Sequence, residues 1–297
     1  MTSRWLDLVD PSREELDSAL PAGCDPDVIE ELLAAPRPGR KPHPIIEAHG
    51  AYVFGVLVVM SPEADARAYE RIDFVATPDR LVTVRRSAGA SPEYDMNALR
   101  SAPAEAPVGV LVQRLVDDIA DTYLDLLDSI YAEINELEDD IDTLSPARVR
   151  LRLGELRRML LHRRRVVSGM RAVARRVLDG RVEIGEHDLF PPPVERLFGD
   201  TYDTLVRVTE EFDVARDLLS GVRDHLQSKV AENQNEVGKK LTVIASLVLV
   251  PSLVVGFYGQ NFAGEFDRGY WTLAVSTSLI VGSTLVQLAI FRWRRWI

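Results

Sequence analysis

The sequence predicts an α+β domain followed by a long helical hairpin, a stalk helix and two C-terminal transmembrane helices. Three observations carry this fold class. Strand-like patterns are confined to residues 1–105. Beyond them the apolar residues recur at three- and four-residue steps, as on one face of a helix. Finally, residues 241–264 and 269–291 are uncharged apolar stretches, each longer than the roughly 20 residues needed to cross a ~30 Å hydrocarbon core.

In the N-terminal domain, Pro11–Leu20 and Asp25–Ala35 read as helices, with Asp25 or Pro26 at a helix start. Ile45–Glu47 and Tyr52–Met60 are strand-like, and the apolar run YVFGVLVVM suits a strand buried on both faces. Ile72–Ala76 and Leu81–Arg85 read as a hairpin around Thr77-Pro78-Asp79-Arg80. Ser87–Pro107 is rich in Ser, Ala, Gly and Pro, as expected of a linker with a short helix. The segment Met1–Leu20 holds five acidic residues and no long apolar core, so no secretory signal is expected and the domain is placed in the cytosol. The single cysteine, Cys24, excludes an internal disulfide framework and a multi-cysteine metal site.

Residues 106–190 form the predicted hairpin. Ile119, Tyr123, Leu126, Ile130, Ile134, Leu137, Ile141 and Leu144 make one stripe, and Ser145-Pro146 ends that helix. A second helix runs from about Ala147 to Leu178, with Gly180 as its stop. Between Asp117 and Asp142 there are eleven acidic residues and no basic one; between Arg148 and Arg176 there are eleven arginines and one acid, Glu155. Folded back, the two helices place opposite charges side by side, which fixes register more than it adds stability, because exposed pairs are worth only ~0.2–1 kcal/mol each. An arginine-rich helix facing anionic lipid or nucleic acid is the competing reading.

The stalk occupies residues 191–240. Leu205, Phe212, Leu219 and Leu226 recur every seven residues, with Val208, Ala215 and Val222 interleaved. This is either a coiled-coil seam or one helix packed on the domain core. No breaker separates the stalk from Leu241, so a continuous helix from Val194 to Tyr258 would be close to 100 Å long at ~1.5 Å per residue.

The first span covers 241–258, the external loop 259–269, the second span 270–291 and a basic tail 292–297. Lys239 and Lys240 precede the first span, while Arg292, Arg294 and Arg295 follow the second. Basic residues at both outer ends put both termini in the cytoplasm and the loop outside. Trp293 and Trp296, and on the far side Tyr270 and Trp271, suit the interfaces. Asn235, Thr242, Ser246 and Ser252 punctuate the first helix at roughly helical spacing, with Ala245 and Leu249 between them. Such a stripe packs helices, satisfies groups freed by Pro251, or lines a water-filled path. Ala274, Ser278 and Gly282 give the second span a small-residue face suited to packing. Neither span carries an ionisable residue, which argues against a side-chain proton relay. Two uncharged helices cannot enclose an aqueous path, so a pore requires several copies.

An α/β domain, a helical hairpin, a rod entering the membrane, two terminal spans and Tyr-Gly-x-Asn after the first span together resemble the CorA family of divalent-cation transporters. The resemblance covers essentially the whole chain and is most specific from Asn235-Glu236-Val237 to Asn261. The family hallmark Gly-Met-Asn stands here as Gly259-Gln260-Asn261, and altered motifs occur in zinc-transporting branches of the ZntB type. The resemblance implies a CorA-like funnel: a homopentamer with the first span around a central pore and the second outside. It assigns selectivity to Tyr258, Gly259, Gln260 and Asn261, with Asn261 as an amide ring at the outer mouth. It places Asn235, Leu241, Leu249 and Ser252 on the pore, with Ala245 joining them, and makes the leucines apolar constrictions that gate by dewetting. Glu265 and Asp267 form an external acidic loop that either concentrates cations or is simply solvated. Asp224 and, more weakly, Asp200 are candidate cytosolic metal ligands.

The function expected from these residues is a pentameric inner-membrane channel for divalent cations, Mg²⁺ first and Co²⁺ or Ni²⁺ with it. The metal is substrate and regulator, and no resident cofactor is expected. The alternatives are a proton-coupled Zn²⁺ transporter of the ZntB type and a membrane-anchored coiled-coil scaffold that conducts nothing. An enzyme is not expected: there is no phosphate loop or nucleophile motif, and His43, His49, His162, His187 and His225 are scattered. A net charge of −11 disfavours a nucleic-acid partner and favours cations. The partners expected are copies of the same chain, membrane lipid and divalent ions.

Overall fold

A five-stranded mixed sheet organises the N-terminal part of the chain. The structure, a computed structural model, describes residues 4–34, 43–60, 69–86, 94–185, 187–259 and 269–296. The strands are β1 (Trp5–Val9), β2 (Ile45–Ala48), β3 (Val53–Met60), β4 (Tyr69–Ala76) and β5 (Leu81–Arg85), in the spatial order β1-β5-β4-β3-β2. β1 lies parallel to β5 and the other pairs are antiparallel. β1 was not among the strands expected from sequence, and β4 begins three residues before the expected Ile72. β1 pairs across a long separation, Trp5 opposite Leu81. Trp5 Nε1 donates to Thr83 Oγ1 at 3.0 Å and Arg85 Nη2 donates to Asp7 Oδ2 at 2.5 Å.

The sheet is sandwiched. On one face lie α1 (Arg13–Ala19) and α2 (Pro26–Leu33), whose Leu16, Leu20, Val28 and Leu32 pack with Tyr52, Phe54, Val56, Val75, Val82 and Val84. Ser12 and Glu15 cap α1 reciprocally, and the Asp25 side chain accepts from Asp27 N at the start of α2, satisfying donors a helix start leaves open. The other face is covered by α4 (Val108–Thr143) and α5 (Pro146–Leu178). Every residue of β3 is buried, which explains why its sequence is apolar throughout instead of alternating. Gly55 is required there: a Cβ would stand 2.2 Å from the Phe74 ring on β4. The linker contains the short helix α3 (Asn97–Arg100).

α4 and α5 form the antiparallel hairpin, and Arg152 pairs with Glu136 at 3.3 Å and with Asp140. Its arginines also reach other elements. Arg176 meets Glu47 of β2 at 3.9 Å, and Arg163 is buried, with its pKa lowered by burial against the opposing pull of Glu133. The charge segregation therefore serves the domain beyond the hairpin itself.

The last two helices are α6 (Pro192–Gly259), unbroken through Pro251, and α7 (Gly269–Trp293). By their contacts the residues fall into two units, Met1–Arg223 and Asp224–Ile297. The first unit takes the N-terminal part of α6. There Leu205, Val208, Phe212, Ala215, Leu219 and Val222 are all buried within one chain, so the heptad seam is covered without a second copy.

Candidate functional site

In the first unit, α6 is held in register by polar side chains from both hairpin helices. Buried Gln113 of α4 donates to Thr201 Oγ1 at 3.0 Å, and that hydroxyl donates to Asp117 Oδ1 at 2.6 Å. Tyr131 of α4 donates to Glu211 Oε2 at 2.5 Å. Arg164 of α5 forks onto Asp213, Nε to Oδ1 at 2.8 Å and Nη2 to Oδ2 at 2.9 Å, and this bidentate pair lowers the Asp213 pKa through the hydrogen bond. Glu211 and Asp213 are thus gripped from two helices within one turn. These contacts escaped sequence reading because nothing local signals a pair 49 or 80 residues apart.

The second unit consists of the rest of α6 and α7. Leu241, Leu249, Leu253 and Phe257 on α6, and Leu273, Leu285 and Trp293 on α7, are exposed. Soluble monomers rarely leave an apolar surface of this extent open, whereas lipid or other protein copies cover it. Both helices are long and apolar enough to cross a membrane. Half-covered or buried positions mark the inner side of this unit: Val243, Leu247, Val250 and Val254 on α6, and Ser276, Ile280, Ser283, Thr284, Gln287 and Phe291 on α7. Ala274, Ser278 and Gly282, expected from sequence to be the packing face of the second span, are exposed instead. Within one chain the face actually covered lies to their side.

The residues assigned to the pore share one side of α6. On a helix of 3.6 residues per turn, Asn235, Leu241, Ala245, Leu249 and Ser252 fall within an arc of about 120°, roughly opposite Val243, Leu247, Val250 and Val254. All five are exposed. Gly238, Gly256 and Gly259 fall on the same arc, and a Cβ at any of them would meet nothing within 4 Å. The first two were missed from sequence, although Gly238, Ala245, Ser252 and Gly259 recur every seven residues and could have revealed Gly238.

The hydroxyls of this span are turned inward. Thr242 Oγ1 donates to Gly238 O at 2.9 Å, Ser246 Oγ to Thr242 O at 2.7 Å, and Ser252 Oγ to Val248 O at 2.7 Å. Each hydrogen is thus spent on the helix itself, on the carbonyl four residues back. Exposed Ser252 therefore presents only lone pairs outward. With the Asn235 amide, the arc offers neutral oxygen acceptors and no charge.

Tyr258 is half-buried and meets Phe257 edge to face at 5.8 Å, which suits a supporting residue. Gly259 ends α6. Gln260, Asn261, Glu265 and Asp267 lie outside the described residues. Asp200 and Asp224 are both exposed on α6; among the described residues no group of three or more His, Cys, Asp or Glu side chains is placed to hold a metal.

The profile of the family described as CorA-like Mg²⁺ transporter protein matches residues 2–294. The cobalt/magnesium transport protein CorA of Thermotoga maritima is 24% identical over 285 residues, covering 93% of this chain and 77% of that protein. The zinc transport protein ZntB of Yersinia enterocolitica is 24% identical over 202 residues, covering 64% of this chain and 60% of that protein. The complete structure of the CorA magnesium transporter from Methanocaldococcus jannaschii shares the fold with a TM-score of 0.78 at 19% identity, over 99% of this chain and 91% of that one. A sheet-and-hairpin domain, a helix running on into an apolar span, a second span and a family match over nearly the whole length lead to one conclusion: the chain belongs to the CorA-like Mg²⁺ transporter family, whose members are divalent-cation transporters and not enzymes.

Proposed function

We propose that the chain assembles as a homopentamer in the cell (inner) membrane and conducts hydrated divalent cations, Mg²⁺ foremost with Co²⁺ and Ni²⁺ as related cargo. The observation that carries this reading is the uncharged arc of α6 from Asn235 to Ser252, which presents the Asn235 amide and the Ser252 hydroxyl oxygen on the side away from the inner face of its own unit. Mg²⁺ gives up its water reluctantly, and a hydrated cation presents water hydrogens outward. Neutral oxygens accept those hydrogens without the deep trap that a carboxylate ring would set. Five copies of the arc supply a lumen that one hairpin cannot, and Leu241 and Leu249 supply its apolar constrictions. Basic residues at both outer ends of the hairpin support cytoplasmic termini. Asn261 then forms the amide ring at the outer mouth, Glu265 and Asp267 raise the cation concentration beside it, and Asp224 and Asp200 are the acidic positions on α6 from which cytosolic metal would bias the closed state.

A second reading is supported by one residue, Gln260, and by the ZntB relative: Zn²⁺ as cargo, coupled to protons. The absence of ionisable side chains in both spans weighs against it. The test is metal uptake into liposomes holding the purified protein, comparing Mg²⁺, Co²⁺, Ni²⁺ and Zn²⁺ with and without a pH gradient. Mg²⁺ uptake that ignores the gradient and falls at least tenfold in Asn261→Ala is expected. Zn²⁺ uptake that follows the gradient would favour the second reading. Absence of any divalent flux would leave only the scaffold, and undiminished flux in Asn261→Ala would remove the amide ring from the conduction path.

A further inference from the structure

The end of α7 is built in a way that a mere topology signal does not require. Three hydrogen bonds close it: Arg294 N to Ile290 O at 2.9 Å, Arg295 N to Arg292 O at 3.1 Å and Trp296 N to Phe291 O at 2.8 Å. The bond from Trp296 back to Phe291 is the long return of a Schellman cap. That cap needs a left-handed residue, and Arg295 takes the position with φ of 55°, a place glycine fills at no cost. A β-carbon is thus accepted where a smaller residue would serve the backbone better. The reversal lays the Trp296 indole over the Phe291 ring, 5.8 Å between centroids and 13° from parallel, so the turn is held by an aromatic clasp.

The clasp determines what is displayed. Arg292, Arg294 and Arg295 are all exposed, and among the described residues none forms an ion pair. Trp293 between them is 83% exposed, as suits an indole whose place is the boundary between headgroups and acyl chains. On α6, Lys239 and Lys240 precede the span. Counted at ~1.5 Å per residue back from the external loop, Lys239 stands about 30 Å from it and Arg292 to Arg295 about 35–39 Å, one to two helical turns deeper. Among the described residues, Lys240 alone of the five cations has an acidic neighbour, Glu236 at 3.9 Å.

We propose that the capped end of α7, Arg292 to Trp296, is a binding surface for anionic phospholipid headgroups of the cytoplasmic-side leaflet. Guanidinium forks match phosphate oxygens in pairs, Trp293 seats the surface at headgroup depth, and Lys239 and Lys240 extend it. The negative end of the helix dipole adds a preference for cations at this end but offers no reason for a rigid clasp or for an arginine at the left-handed position. The inference is independent of which ion the protein conducts.

The test is native mass spectrometry of the full-length protein released from mixed phosphatidylglycerol and phosphatidylcholine membranes. Wild type is expected to retain phosphatidylglycerol over phosphatidylcholine, and to lose that preference as salt rises. Each basic residue near an anionic surface is worth about fivefold in affinity, so the triple variant Arg292→Gln, Arg294→Gln, Arg295→Gln should fall to the phosphatidylcholine level. The matching triple lysine variant controls for folding and topology, and should keep most of the preference. Equal retention of the two lipids by wild type, or undiminished phosphatidylglycerol on the glutamine variant, would overturn the proposal.

Discussion

At Asp73 the sheet holds a carboxylate where a buried strand asks for an apolar side chain. It is 3% exposed. Its Oδ1 accepts from Arg71 Nε at 2.6 Å, while Arg71 Nη1 reaches Glu31 of α2 at 2.8 Å. Burial outweighs the Arg71 guanidinium and pushes the carboxyl up to about 7. The native state therefore holds this proton more tightly than the unfolded chain does. The stabilisation is complete below the ordinary value of 3.8 and is lost as the pH rises through about 7. Asp73→Asn keeps the shape without the charge, so its melting temperature should gain on wild type between about pH 4 and about pH 7 and hold that gain above it. A difference that stays constant over this range would show that the Asp73 charge is no burden to the fold. The strand around Asp73 was legible from Ile72 onward, but its ion pair to α2 was not, because pattern reading treats a charge in a strand as surface. β1 was illegible for a related reason. Its partner β5 is distant in sequence, and no turn announces a parallel pairing.

At the scale of elements, α6 shows which part of a helix the sequence reveals. The period at Leu205, Phe212, Leu219 and Leu226 marked an apolar face, and that face is buried. What covers it did not follow from the period, since a seam against another copy and packing against one's own helices share the same spacing. Here the polar grips of Tyr131 and Arg164 belong to the same chain. Phe212 is 1% exposed, whereas Leu218 on the same helix is 47% exposed. Phe212→Ala should cost about 3–5 kcal/mol, as for other buried phenylalanines, and Leu218→Ala within about 0.5 kcal/mol. Thermal unfolding of the full-length protein in detergent checks this, with size-exclusion chromatography alongside. A change in oligomer size without a loss of stability at Phe212 would mean that the seam joins chains after all. The hydroxyl stripe of the first span had three open explanations in sequence. The structure removes one ambiguity, because Thr242, Ser246 and Ser252 each donate to the carbonyl four residues back, so their hydrogens are unavailable to a neighbouring helix while their lone pairs remain free to accept.

For the whole molecule, the conduction reading separates two tasks along one arc of α6: neutral oxygens hold the ion's water, and leucines decide whether water is present at all. An inward field moves a 2+ charge by about 4.6 kcal/mol per 100 mV, so a passive path needs no coupled ion, in keeping with spans that carry no ionisable side chain. The resistance must then come from the pore itself. A ring of exposed leucines dewets when it is narrow, and an amide of similar size at the same position keeps it wet. Leu249→Asn is therefore expected to raise resting Mg²⁺ entry into liposomes severalfold at a fixed potential while leaving the response to a pH gradient absent. The combination with Asn261→Ala distinguishes gate from entry: if the outer amides capture the hydrated ion, the double variant stays slow although its constriction is wetted. Recovery of flux in the double variant would place the limiting step at Leu249 and take selectivity away from Asn261. An unchanged rate in Leu249→Asn alone would move the gate off this helix face, because no other explanation for an exposed leucine on a polar arc would then be needed beyond contact with lipid.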